Sequence, residues 1–419
     1  MGLHKLTAGD GYTYLIRQVA AADSTERGYN SLGDYYAAKG ESPGTWIGRG
    51  LDALGTSGTV TEQQMRNLFG QGIHPDADRI LIAQAAAGAS TAAATAATRL
   101  GSPYRVVEGD PAWREGLTER YQAWNIVRDR PENAPVPPDE RTRIRTELAT
   151  EMFTQRHGRP PAHVGELTGF LAQASRPQSA SVAGFDLTFS PVKSVSSLWA
   201  VAARPTAEQI EAAHQAAVRT TIDFLEREAA YTRMGARGVR QVETRGLIAA
   251  MFTHRDSRAG DPDLHTHVAV SNKVQTLDGR WLALDGRMLY RFNVAASEYY
   301  NSQLEAEVTA RVGGAFAARE RSDGKRPVRE LVGVDGRLNT QWSSRREAIE
   351  KVTADLAQLF VARQGRVPTA VETLRLAQQA TLQTRQAKHE PRSLAEQRAT
   401  WHTQAVHVLG REGHPSDDP

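Results

Sequence analysis

Ala183–Ser190 alternates apolar and polar side chains, with Phe185, Leu187 and Phe189 on one side and Asp186, Thr188 and Ser190 on the other. A period of two is that of a half-buried β-strand. The same reading predicts strands over Gly246–His254 and Leu264–Gln275, joined through the turn-rich Asp256–Pro262, and a fourth over Arg280–Leu284. Helices are predicted between and after them, for example at Val195–Ala203 and Thr206–Ala229. Residues from about 72 to 180 are helical in pattern, broken by the Pro-rich Arg130–Pro138. Within them, Ile80–Leu100 is mostly Ala, Thr and Gly beside the charged Asp76–Arg79, which reads as a water-soluble Ala-rich helix rather than a membrane span. Segments 153–167 and 360–374 share Phe, Arg, Gly, Arg, Pro, Val and Leu at matching positions. Gly then Pro between helical runs stops one helix and starts the next, so a helix–turn–helix unit is expected twice. A helical hairpin is also a common packing solution, and two copies make no solenoid.

Composition narrows the picture. A chain of 419 residues has room for two or three domains, and 40% hydrophobic with 24% charged residues is ordinary globular usage. Lys plus Arg number 51 against 48 acids, a formal charge of +3, too blunt to locate a nucleic-acid surface. There is no cysteine. Disulfides, iron–sulfur clusters and thiol nucleophiles are thereby excluded, and any metal must rest on His, Asp or Glu. The opening MGLHKLTAGDGYTYLI lacks the apolar core and small-residue cleavage pattern of a signal peptide. No membrane segment and a cytoplasmic location are expected.

Of twelve histidines, three fall within fourteen residues: His254, His265 and His267. His265 and His267 are two apart, so on a strand both rings face the same side. A hairpin through Asp261–Pro262 brings His254, at the end of the preceding strand, beside them. Three neutral imidazoles converging on one point make a metal site with open positions. Asp186 reaches the same cluster if its strand is a neighbour, to orient a ligand imidazole or accept a proton. The tyrosines raise the question of a nucleophile. A free phenol with a pKa near 10 is ionised in only about one part in a thousand at pH 7. In a helix beginning near Asp10, Tyr12 lies on the apolar stripe with Leu15, Ile16 and Val19, whereas Tyr14 lies on the polar side and is the better candidate for chemistry. Tyr35 and Tyr36 offer a second active phenol or a stacking residue.

His254-Arg-Asp-Ser-Arg-Ala-Gly-Asp-Pro-Asp-Leu-His265-Thr-His267, with the upstream Gly184-Phe-Asp186-Leu-Thr-Phe-Ser-Pro-Val-Lys193, resembles the MobF class of conjugative relaxases, HUH-type single-strand DNA endonucleases. Tyr35-Tyr36-Ala-Ala-Lys-Gly-Glu-Ser-Pro-Gly-Thr-Trp46-Ile-Gly-Arg-Gly50 resembles that family's second tyrosine pair and the loop after it. The likeness covers roughly residues 5–55 and 180–310. It implies metal ligation by His254, His265 and His267, Asp186 as the acidic residue beside them, Tyr14 as the first tyrosine and Tyr35 or Tyr36 as the second. The family usually has two adjacent doublets; here the first is split as Tyr12-Thr13-Tyr14.

The implied fold is α+β, a central antiparallel sheet with helices packed on it. The expected divisions are a relaxase domain over 1–310 with a helical insertion at about 72–180, a helical region over 311–410, and a tail from 411 to 419. The implied reaction is nicking of single-stranded DNA at a transfer origin through a 5′-phosphotyrosine adduct. It would use Mg²⁺ or Mn²⁺, although three imidazoles by themselves suit Zn²⁺ equally. Accessory relaxosome proteins and a coupling protein are the implied partners. Family members usually continue into a helicase; no G-x-x-x-x-G-K-[ST] occurs here, so a relaxase part alone is expected. Residues 227–258 carry seven arginines. From these and the 193 position, Lys193, Arg245, Arg255 and Arg258 are the candidates for DNA contact. The alternatives are a rolling-circle replication initiator with the same chemistry, a three-His metallohydrolase using water, and a DNA-binding module without catalysis.

Overall fold

A computed structural model describes residues 1–15, 44–107, 110–132, 134–175, 179–319, 327–384 and 392–410. Five antiparallel strands form its central sheet: β1 (Gly2–Thr7), β2 (Thr45–Ile47), β3 (Val182–Phe189), β4 (Ala249–Asp256) and β5 (Pro262–Ser271), in the spatial order β1-β3-β5-β4-β2. The alternation in β3 does what its period demands. Phe185, Leu187 and Phe189 enter the main hydrophobic core with Val268 and Val270 of β5. That core is closed by α1 (Lys193–Val201), α2 (Arg204–Ala229) and α3 (Gly286–Val312). On α2 the buried positions Ile210, Ala213, Ala217 and Leu225 recur at helical spacing, and their small alanines let α3 approach closely through Ala296 and Tyr300. A last helix, α4 (Leu394–Gly410), adds Trp401 to the same core, 5.4 Å from Trp199 between ring centres. The fold is α+β, as the sequence predicts.

Several boundaries differ from expectation. The run expected over Leu264–Gln275 breaks at Asn272, whose amide and side chain donate to Ala183 and Val182 carbonyls. Beyond it, Lys273–Gln275 pairs with Trp281–Ala283 as a separate ribbon, so the fourth expected strand lies outside the central sheet. Gly246–Ile248 precede β4 because they dock the β2 loop instead. Gly48 there has φ +105°, and a Cβ on it would sit 2.3 Å from the Leu247 carbonyl oxygen. Glu226 holds this junction, accepting from the amides of Arg49 and Leu247 and from Arg49 Nε. Ile80–Leu100 is two helices, Ala77–Ala86 and Thr91–Ala97, because Gly88 turns left-handed and Ser90 caps the second. Strands β1 and β2 were not anticipated.

The chain divides into two compact units, Met1–Pro103 with Val182–Pro419, and Tyr104–Ser181. The second unit has its own small core around Trp113, Leu148, Phe153 and Phe170. Both expected helix–turn–helix segments are present. Helices Pro138–His157 and Val164–Ala174 flank a left-handed Gly158, and Ser344–Gln364 and Ala370–Gln383 flank a left-handed Gly365. In each, the Arg after that glycine pairs with a Glu of the second helix's first turn, Arg159 with Glu166 and Arg366 with Glu372.

Candidate active site

The β4–β5 hairpin builds the site by register. His254 stands directly opposite His265, and His267 follows two residues on, so all three rings share the sheet face away from the helices. Their centres lie 5.1–5.3 Å apart, and one ligand atom from each falls within 4.8 Å of the others. Next door, β3 sets Thr188 opposite His267 and Asp186 opposite Ala269. The His267 Nδ1–H donates to the Asp186 carboxylate at 2.9 and 3.0 Å, and the His265 Nδ1–H donates to the Asp263 carbonyl at 2.7 Å. With Nδ1 of His265 and His267 engaged by these acceptors, Nε2 is the atom each ring has left to offer an ion. This nitrogen-only set, preoriented and largely buried, fits one divalent ion of the first transition row.

Tyr14 comes to the same carboxylate. After β1 the chain turns over residues 8–12, tied by the Gly9 amide to the Gly70 carbonyl, and becomes helical at Thr13–Leu15. Tyr12 is thereby buried at 4% exposure in the core, as its place on the apolar stripe predicts. The Tyr14 hydroxyl instead donates to Asp186, and its ring stands edge-on to His267 at 6.0 Å. Burial, then the Asp186 charge and hydrogen bond, raise the phenol well above its ordinary pKa. The group is therefore a neutral O–H whose proton already points at a base. Tyr35 and Tyr36 lie outside the described residues.

Behind the hairpin, on the helix side, His214 joins Thr266 Oγ1 and the Tyr300 hydroxyl at 2.8 Å each, and Thr266 meets Thr253 at 3.0 Å. Burial holds His214 down at about 3, so the ring is neutral and acts as a relay of hydrogen bonds. The sequence reading did not single out this network, nor His4, which β1 places across from Asp186 at the exposed sheet edge. Only recognition of β1 as a strand would have revealed His4.

The arginine and lysine candidates separate. Arg255 faces the opposite side of β4 from His254; it is buried, with Nη2 3.4 Å from Glu211. Strand parity alone dictates this, since neighbours in a strand point opposite ways. Lys193 turns inward to donate to the Pro262 carbonyl at 2.7 Å, and burial lowers its pKa. Both cationic groups are thus engaged by groups of the protein itself. Arg245 is exposed and Arg258 half-buried in the turn between the ligand strands.

Two histidines of a central strand, a third on its hairpin partner, and a tyrosine of the N-terminal segment bonded to the adjoining aspartate thus meet on one face of the sheet. The chain belongs to the TrwC relaxase family, whose model matches residues 8–408. It is similar to two Escherichia coli proteins called multifunctional conjugation protein TraI. One is 30% identical over 255 residues, 55% of this chain and 13% of that protein. The other, from strain K12, is 33% identical over 140 residues, 30% of this chain and 8% of that protein. The chain thus spans a small fraction of the length of these curated relatives. Among solved structures it shares its fold with the conjugative relaxase TrwC in complex with oriT DNA. The metal-bound form has a TM-score of 0.55 at 22% identity, covering 97% of this chain and 98% of that one. The metal-free form has a TM-score of 0.54 at 22% identity, covering 98% and 99%. Among the described residues no helix is long and apolar enough to cross a membrane.

Proposed function

We propose that this chain nicks single-stranded DNA at an origin of transfer, with Tyr14 as nucleophile, and so starts conjugative transfer of a plasmid or integrative element. The observation that carries the reading is the hydrogen-bonded series Tyr14–Asp186–His267, which joins a phenol, a base and a metal-type imidazole on one face of the sheet. Attack by the Tyr14 oxygen on phosphorus releases a 3′ hydroxyl and forms a 5′-phosphotyrosine bond. Asp186 accepts the phenolic proton as the bond forms, which a phenol of raised pKa requires. When bound by His254, His265 and His267, a divalent ion supplies stabilisation of the charge gathering on the non-bridging phosphate oxygens. Mg²⁺ or Mn²⁺ is the ion the family resemblance implies, whereas the three imidazoles by themselves suit Mn²⁺ or Zn²⁺ better than Mg²⁺. The phosphodiester energy is conserved in the tyrosyl bond, so rejoining needs no nucleotide, and Tyr35 or Tyr36 is the acceptor for a second strand transfer. Arg245 and Arg258 are the assigned phosphate contacts. Accessory relaxosome proteins and a coupling protein are the partners in this reading, and the cytoplasm its location.

The test is a denaturing gel of the protein with Mn²⁺ or Mg²⁺ and oligonucleotides spanning the transfer origin of its own replicon. Tyr14→Phe runs beside Tyr12→Phe, Tyr35→Phe and Tyr36→Phe. A denaturant-resistant protein–DNA band lost only with Tyr14 supports the reading. Cleavage without such a band identifies a water-using metallohydrolase, and binding without cleavage a DNA-binding module. Activity confined to a replication origin identifies a rolling-circle initiator.

A further inference from the structure

We propose that Ser344, Gln397 and Trp401 are positioning residues of the metal site, acting as a clamp on the turn that joins its two ligand strands. The proposal rests on His254, His265 and His267 holding a metal. Regular β4–β5 pairing ends at His254 opposite His265; the register then shifts before Asp256 meets Pro262. Two of the three ligands therefore sit at the end of the ladder, where strand pairing by itself protects least against fraying. Within the turn, Ser257 Oγ accepts from the amides of Ala259 and Asp261, which shapes the loop.

Beside the Lys193 contact to the Pro262 carbonyl, the turn is attached by residues more than eighty positions downstream. Gln397 Nε2 donates to Asp256 Oδ2 at 3.0 Å. The Ser344 amide and hydroxyl donate to the two Asp261 oxygens at 3.2 and 3.0 Å. Trp401 Nε1 donates to the Gly260 carbonyl at 2.9 Å. Asp256 and Asp261 are both buried, at 7% and 9% exposure, and a buried carboxylate without donors is strongly unfavourable. Their partners are in turn rigidly based. Trp401 is fully buried against Trp199, and Arg398 of the same helix donates to the carbonyls of Trp199 and Ala202. A turn pinned at 256, 260 and 261 fixes the approach of His254 to His265, on which convergence on one ion depends.

The test uses the whole chain with Ser344→Ala, Gln397→Ala and Trp401→Phe, the last keeping an aromatic ring while deleting the N–H. Two readouts need no turnover: amide hydrogen exchange of the metal-free protein over residues 254–267, and titration with Co²⁺ or Mn²⁺ alone. Exchange there is expected to quicken while α2 and α3 keep native rates. Metal affinity is expected to fall about fivefold to tenfold, less than the 10–100-fold typical of groups bonded directly to a ligand. Ser344→Thr, which retains the hydroxyl, is expected to behave as native. Native exchange and affinity in all three variants overturn the proposal, as does faster exchange throughout the chain with unchanged affinity. If the native chain binds neither ion, the metal reading itself fails, a result distinct from both.

Discussion

The Tyr14 hydroxyl donates to the Asp186 carboxylate, a contact between residues 172 positions apart in the chain. The same carboxylate accepts from His267 Nδ1 at 2.9 Å. One acid therefore orients the His267 imidazole and accepts the Tyr14 hydrogen bond, and the proposed reaction gives it two duties. Its two duties can be separated by experiment.

Asp186→Asn keeps the shape and removes the charge. Metal affinity is expected to drop about 10–100-fold through loss of the His267 orientation. At saturating Mn²⁺, adduct formation is expected to remain about 10²–10⁴-fold slow, because an amide does not take the phenolic proton. A rate restored fully by excess metal would remove Asp186 from proton transfer. Metal titration and single-turnover adduct formation provide the two measurements.

Removing the metal with a chelator, or a ligand with His267→Ala, is expected to abolish the adduct while oligonucleotide affinity stays within about threefold of native. Such affinity resides mainly in phosphate contacts spread over the surface. Added Mn²⁺ restores the chelated protein and not the variant. Anisotropy with a labelled oligonucleotide, read beside the denaturing gel, checks both.

Thr266→Val preserves volume and deletes the hydroxyl that meets His214 and Thr253. It leaves a fully buried ring nitrogen without that partner, at a cost of about 1–3 kcal/mol. The expectation is a lower urea midpoint with an unchanged slope.

Arg245→Ala is expected to weaken DNA binding across sequences and to reduce the salt slope by about one. Arg255→Ala is expected to lower stability and leave that slope alone, because its side chain is buried beside Glu211. Equal slopes for both variants would contradict this separation.

Lys273 is buried, and its pKa falls from 10.5 to about 8. Below about pH 8 the folded state carries a poorly hydrated ammonium; between there and 10.5 the unfolded chain binds more protons, so stability rises with pH. Lys273→Met removes that dependence. Its melting temperature relative to native is expected to be more favourable at pH 7 than at pH 10, whatever the loss of the Ser102 contact contributes at both. A difference independent of pH would show that this lysine does not titrate as assigned.

The histidine cluster was legible because its information is local. A period of two puts His265 and His267 on one face, and a short turn returns His254 to them, so register follows from spacing alone. The apolar face of β3 was legible for the same reason, and so was the assignment of Tyr12 to the core. Strand parity was equally available for Arg255 and would have turned it inward, toward the helix side of the sheet. By contrast β1 and β2 are short segments whose only large buried residues are Leu6, Trp46 and Ile47, too few to show a period.

Sequence by itself therefore determined the three-histidine cluster, the strand bearing Asp186 and the resemblance to a relaxase, all matters of neighbouring residues and their periodicity. Tertiary structure decided which acid meets which phenol, which basic residues turn inward, and what holds the turn from Asp256 to Asp261. Tyr14 and Asp186, or Asp256 and Gln397, are joined by packing between segments more than a hundred residues apart, and no local spacing encodes where such segments come to rest.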